Sequence, residues 1–109
     1  MPTNAEAVAW WADVASECGL QKIISITDVR RKHFKKRCEE GFWMMRAMLA
    51  EEIKASKFLK GMAKPRHDGQ KAFKITFDWL ITNDNNWVKV IEGRYRDQKE
   101  EQAIAKEAW

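Results

Sequence analysis

Apolar residues recur along much of this chain at spacings of three and four, and glycines interrupt the pattern where it stops. Ala5, Val8, Trp11, Ala12, Ala15 and Cys18 follow helical spacing. Thr3-x-x-Glu6 ahead of them fits a capping box, and Gly19 supplies a stop. These signals predict a first helix over residues 4–18. Leu20 to Ile26 is a short connector, apolar enough at Ile23, Ile24 and Ile26 to lie against a core. Thr27 as N-cap and Asp28 in the first turn predict a second helix over 28–40 that stops at Gly41.

The third helix is expected to start near Phe42 and run to Lys60, with Gly61 as terminator. Phe42, Met45, Leu49, Ala50 and Ile53 define its stripe, which Trp43, Ala47 and Met48 widen. Phe58 and Leu59 would close its last turn. Residues 62–71 contain Pro65, Asp68 and Gly69, which predict a surface loop. Residues 72–76 alternate apolar and polar without a partner strand, so they read as an extended segment pinned by aromatics. Thr76 caps a short helix over 77–81, and 82–86 is turn chemistry. Asn85 or Asn86 caps another helix over 87–92, which Gly93 ends. The expected fold is all-α, a small single domain of four to five helices with one short extended aromatic segment. It occupies 1–96, and 97–109 forms a charged C-terminal helix or tail.

Composition supports this and narrows the chemistry. The 109 residues suit one modest core, and 45% hydrophobic with 33% charged residues is the balance of a soluble globular domain. No apolar run approaches the roughly 20 residues that span a bilayer, so no membrane partner is expected. The N-terminus carries an acid and no basic region, unlike a signal peptide, and the expected location is cytoplasmic. Cys18 and Cys38 read as buried free thiols. His33 and His67 form no metal-ligand spacing with them, and no metal or cofactor is expected. No Walker A motif, G-x-S-x-G motif or clustered acids are present, so no catalytic residues are assigned and the chain reads as a non-enzyme. Asp78, a lone acid among aromatics, reads as a helix cap, because catalysis needs a second carboxylate or histidine nearby.

The formal net charge is +4, and its distribution is more telling than its size. Arg30 to Arg37 holds six Lys or Arg in eight residues, with Phe34 and Cys38 facing the core. Crowded like charges repel, and a polyanion relieves them by counterion release. The alternatives are a solvated helix paired with nearby acids, or an acidic protein partner. Six tryptophans are also many for so short a chain. Trp11, Phe34, Phe42, Phe58, Phe77 and Trp79 fall on expected core faces, while Trp10, Trp43 and Trp87 are less fixed. An exposed Trp beside a cation stacks on a single-strand base, and Trp87 next to Asn86 and near Lys89 fits that role best. The expected DNA-binding set is therefore Arg30, Arg31, Lys35, Lys36, Arg37, Trp87 and Lys89.

Several short motifs occur in a fixed order. They are Thr27 with Arg30, Arg31 and Arg37; Ser56-x-Phe58-Leu59-x-Gly61; Phe77-Asp78-Trp79-Leu80; and Asn86 with Lys89, Glu92, Gly93 and Tyr95. In this the chain resembles the C-terminal module of phage and prophage DNA-replication proteins of the replisome-organiser or helicase-loader-like type. One departure is Phe73, where the family often carries Trp. In the larger proteins of that family the module follows a winged-helix or helix-turn-helix region, a pattern not read in this chain. The resemblance implies a non-enzymatic DNA-replication accessory domain in a bacterial host cytoplasm. It would bind DNA, with single strands expected, or alternatively dock onto a replicative helicase or another replication protein. A self-associating domain that buries surface Trp is a third reading.

Overall fold

A computed structural model describes residues 1–63 and 72–97, which form five helices and one isolated bridge. The fold is all-α, as the periodicity predicts. The expected tail lies almost wholly outside the described residues, as does most of the expected loop over 62–71. Asp97 is described, and its carboxylate accepts the Lys57 backbone N–H.

The first helix, α1 (Asn4–Cys18), has the expected capping box. The Thr3 hydroxyl accepts the Glu6 N–H while the Glu6 carboxylate accepts the Thr3 N–H. Helix α2 (Asp28–Glu40) is capped by Thr27 and ends at Gly41, which is left-handed at φ 112°. That conformation disfavours any residue with a Cβ, and it turns the chain sharply.

The sharp turn explains the first departure. Residues 42–45 form turns, and α3 (Arg46–Ala55) begins four residues later than periodicity predicts. Phe42 enters the core from that turn rather than from a helix, and contacts Trp10, Phe34 and Trp87 edge-on. Leu49 and Ile53 are the buried residues of α3, whereas Ala47 and Met48 face solvent. The helix also ends early. The Ser56 hydroxyl accepts the Leu59 N–H and donates to the Tyr95 carbonyl, opening a separate turn that closes at Gly61. A local side-chain bond of this kind competes with helix continuation. Phe58 consequently leaves the core face and is 39% exposed.

Among the described residues, the extended segment pairs through the single bridge of Lys60 and Lys74, with the Ile75 N–H donating to the Leu59 carbonyl. It buries Ile75 and leads into α4 (Phe77–Ile81), which Thr76 caps through the Trp79 N–H. Between α4 and α5 (Asn86–Ile91), the Asn83 carboxamide oxygen accepts the N–H groups of Asn85 and Asn86. Asn85 holds the N-cap position, one of the two expected, but its side chain makes no cap bond, and Asn83 supplies the capping oxygen instead. Asn86 instead donates its side-chain amide to the Trp79 carbonyl, tying α5 to α4.

The core is a chain of aromatic rings running through Trp11, Phe34, Phe42, Phe77 and Trp87. Most pairs meet edge to face, the arrangement that aromatic quadrupoles favour. Trp11 lies fully buried, and its indole N–H donates to the Gln21 carbonyl at 2.7 Å, fixing the connector against α1. Of that connector, Leu20 is buried and Ile23 and Ile26 are half-buried, but Ile24 stands 96% exposed. Cys18 and Cys38 are free, and burial pushes both thiols upward. A raised thiol is a weak nucleophile at neutral pH.

Candidate nucleic-acid interface

Helix α2 carries the basic run, and its rotation about the helix axis sorts the cations into two groups. Phe34 is the buried anchor. Arg30 and Arg37 lie four residues before and three after it, so they share its face. Lys32, Lys35 and Lys36 lie on the opposite face with Asp28, Val29 and Glu39, and all six are exposed.

The inward pair is spent on the fold. The Arg30 guanidinium meets Asp78 with two bonds of 2.8 and 3.1 Å and donates a third to the Ser25 carbonyl. Arg37 is 7% exposed. It donates to the Ile81 carbonyl at 3.2 Å and to Glu40 at 3.1 Å. Its Nε stands 3.0 Å from the same carboxylate, yet at an angle that makes no hydrogen bond. That contact is electrostatic only. These positions correct the expectation that Arg30 and Arg37 offer their charge to phosphate. Each is already neutralised by a carboxylate and forms a brace from α2 to α4.

Asp78 is likewise no helix cap, since Thr76 holds that role. The Arg30 guanidinium holds its carboxyl below the usual carboxylate range, and the same bond raises Arg30. A depressed carboxylate stabilises the fold above its ordinary value of 3.8 and loses that contribution as pH falls through the lower folded value. The Asp78 side chain is 58% exposed, so Asp78→Asn should cost only about 0.2–1 kcal/mol at pH 7. The wild type and variant should converge in stability as pH falls through the depressed folded value, measured by denaturant unfolding across pH. An equal difference at every pH would remove the ion pair from the account.

Trp87 is the second correction. It is 6% exposed, wedged against Phe42, and its indole N–H donates to Glu40 at 3.1 Å. Its ring is not open to a base. Glu40 therefore joins Arg37 of α2 to Trp87 of α5. Lys89 lies two residues further, about 200° around α5, so it does not share the Trp87 face. Lys89 is half-buried and sits on α5, whereas the exposed lysines of the run sit on α2.

Four cations of the run remain uncompensated. Arg31 donates to the Asn4 side chain at 2.7 Å and to the Pro2 carbonyl at 3.4 Å, both neutral acceptors that leave its charge intact. Lys32, Lys35 and Lys36 form no ion pair with any described residue. The expected set contains Arg31, Lys35 and Lys36 but not Lys32, which is exposed together with Lys35 and Lys36, whereas Arg31 is half-buried at the edge of that face. The resulting stripe is strongly positive, with Asp28 and Glu39 as its only acids.

No group of three or more His, Cys, Asp or Glu among the described residues could hold a metal ion. No helix among them is long and apolar enough to cross a membrane. No family model, curated protein or solved structure matches the chain.

The motif residues, by contrast, contact one another. Arg30 pairs with Asp78, Ser56 bonds the Tyr95 carbonyl, and Asn86 bonds the Trp79 carbonyl. Gly93 takes φ 82°, and a Cβ there would stand 2.6 Å from the Arg96 guanidinium. Arg96 in turn pairs with Glu52 of α3. The ordered motifs thus join four separated stretches of chain into one fold.

Proposed function

We propose that this chain is a non-enzymatic DNA-binding accessory domain of the phage or prophage replication type, with the exposed face of α2 as its contact surface. The observation that carries this reading is the sorting of charge on α2. The arginines that face inward are paired, while Arg31, Lys32, Lys35 and Lys36 are left without carboxylate partners on one helix. Such a stripe attracts a polyanion through phosphate contacts, which carry no base information. Single strands are the preferred form, because their flexible backbone can follow a short straight helix face. Anisotropy of a labelled single-stranded oligonucleotide, with unlabelled single strand and duplex as competitors, tests it. Single strands are expected to compete better, and absence of binding at low salt would refute the reading.

A second reading has its own observation. Met1, Met44 and Met48 are 63%, 88% and 53% exposed. Met1 and Met44 line a shallow cavity of about 360 Å³ with Pro2, Glu6, Cys38 and Trp43. Methionine-rich surfaces adapt to protein partners. If this face docks a replicative helicase, Met44→Glu should abolish retention of the purified helicase on the immobilised domain. Unchanged retention would exclude that face.

A further inference from the structure

A second cluster lies away from α2. Phe58, Phe73, Trp79 and Tyr95 come from four separate stretches, and their rings form a closed circuit. Phe58 lies near-parallel to Phe73, with centroids 5.1 Å apart at 15°, and to Tyr95, at 5.6 Å and 5°. Trp79 meets both Phe73 and Tyr95 edge-on, at 5.3 and 5.8 Å. Unlike the rings of the core, none of these four is fully buried. Phe58 is the most open.

Exposed cations are the chain neighbours of three of these rings. Lys57 precedes Phe58, Lys74 follows Phe73, and Arg94 precedes Tyr95, and all three are exposed. Lys60 stands directly across the bridge from Lys74. Like charges opposite one another in a strand pair are destabilising, and no described carboxylate forms an ion pair with either lysine. Lys57 and Arg94 have no such pair either. The nearby acids are otherwise engaged or peripheral. Asp97 accepts the Lys57 backbone, Asp78 is turned to Arg30, Glu52 holds Arg96, and Glu92 is exposed at the end of α5. Partly open rings, with exposed cations adjacent in the chain that pair with no described carboxylate, are the residue types a single-strand binding surface uses, because bases stack and phosphates pair.

We infer that the Phe58–Phe73–Trp79–Tyr95 cluster is a base-stacking subsite for single-stranded nucleic acid, with Lys57, Lys60, Lys74 and Arg94 positioned for its phosphates. This inference rests on the nucleic-acid reading above and extends it from phosphate attraction to contact with bases. It supplies the stacking surface that the buried Trp87 cannot.

The test compares wild-type affinity for a short oligothymidylate with that for an abasic strand of equal length and charge. Stacking predicts about tenfold weaker binding to the abasic strand. Phe58→Leu, which keeps apolar bulk and removes the ring, should weaken oligothymidylate binding and leave abasic binding unchanged. Its thermal unfolding curve shows whether it is folded, and the wild-type comparison stands without it. Equal wild-type affinity for both strands overturns the stacking subsite and leaves the α2 surface intact. No binding to either strand overturns both.

Discussion

Arg37→Met is expected to lower the free energy of unfolding by roughly 2–3 kcal/mol while leaving DNA affinity of the folded protein unchanged. Arg37 is buried, and it holds the Ile81 carbonyl and the Glu40 carboxylate together. Removing one member of a buried ion pair strands the other charge, which ordinarily costs about 3–5 kcal/mol. Here the Glu40 side chain is 33% exposed, so it regains water in part and the expected loss is smaller. Methionine fills much of the vacated space but offers the Ile81 carbonyl no donor. Trp87 would keep its bond to Glu40 and limit the damage at α5. Urea unfolding measures the effect. Lys36→Met, on the exposed face one residue away, serves as control and should stay within about 0.5 kcal/mol of wild type. A stable Arg37→Met protein with weakened DNA binding would return Arg37 to the interface.

The double variant Lys35→Glu/Lys36→Glu should show the reverse pattern. Its stability should hardly change, since neither lysine pairs with a described residue. Its affinity for single strands should fall roughly 30-fold or more at low salt, taking about 1 kcal/mol for each cation removed from an anionic surface. The salt dependence gives an independent count. Each phosphate contact to a single strand adds about −0.7 to the log–log slope, so losing the Lys35 and Lys36 contacts should make the slope shallower by about 1.4 in the variant. Equal slopes would mean that these lysines touch no phosphate. Charge reversal at Arg31 is a less clean probe, because Arg31 also anchors Asn4 and Pro2 at the start of α1.

These contrasting expectations show what the sequence could carry. The limits of α1, α2 and α4 were legible because each is set locally, by Thr3 with Glu6, by Thr27 and Gly41, and by Thr76. The start of α3 was not, because Phe42, Trp43 and Met45 fit a helical stripe although the backbone turns after Gly41. The end was hidden for a similar reason. Ser56 acts through a local bond from the Leu59 N–H and a second to Tyr95, 39 residues away, and only the first lies within reach of a local pattern.

The basic run was legible as composition but not as geometry. Counting six cations in eight residues treats them as equal. Placing Arg30 and Arg37 at −4 and +3 from Phe34 would have set them on the inward face, but not named Asp78 and Glu40 as their partners. Trp87 misled because an aromatic after Asn85-Asn86 resembles an exposed turn residue. Its burial depends on Phe42 and Glu40, both distant in sequence. The four-ring cluster had a faint local signal in the adjacent pairs Lys57–Phe58, Phe73–Lys74 and Arg94–Tyr95. Only the fold brings those rings together.

The central claim is that the outward face of α2 contacts DNA. Backbone amide shifts of the isotope-labelled domain, followed during titration with a short single-stranded oligonucleotide at low salt, test it most directly. The account predicts that shifts concentrate at Arg31, Lys32, Lys35 and Lys36, with a second group at Phe58, Phe73 and Tyr95, and none at Arg37 or Trp87. Absence of shifts on α2, whether the oligonucleotide binds elsewhere or not at all, would contradict it.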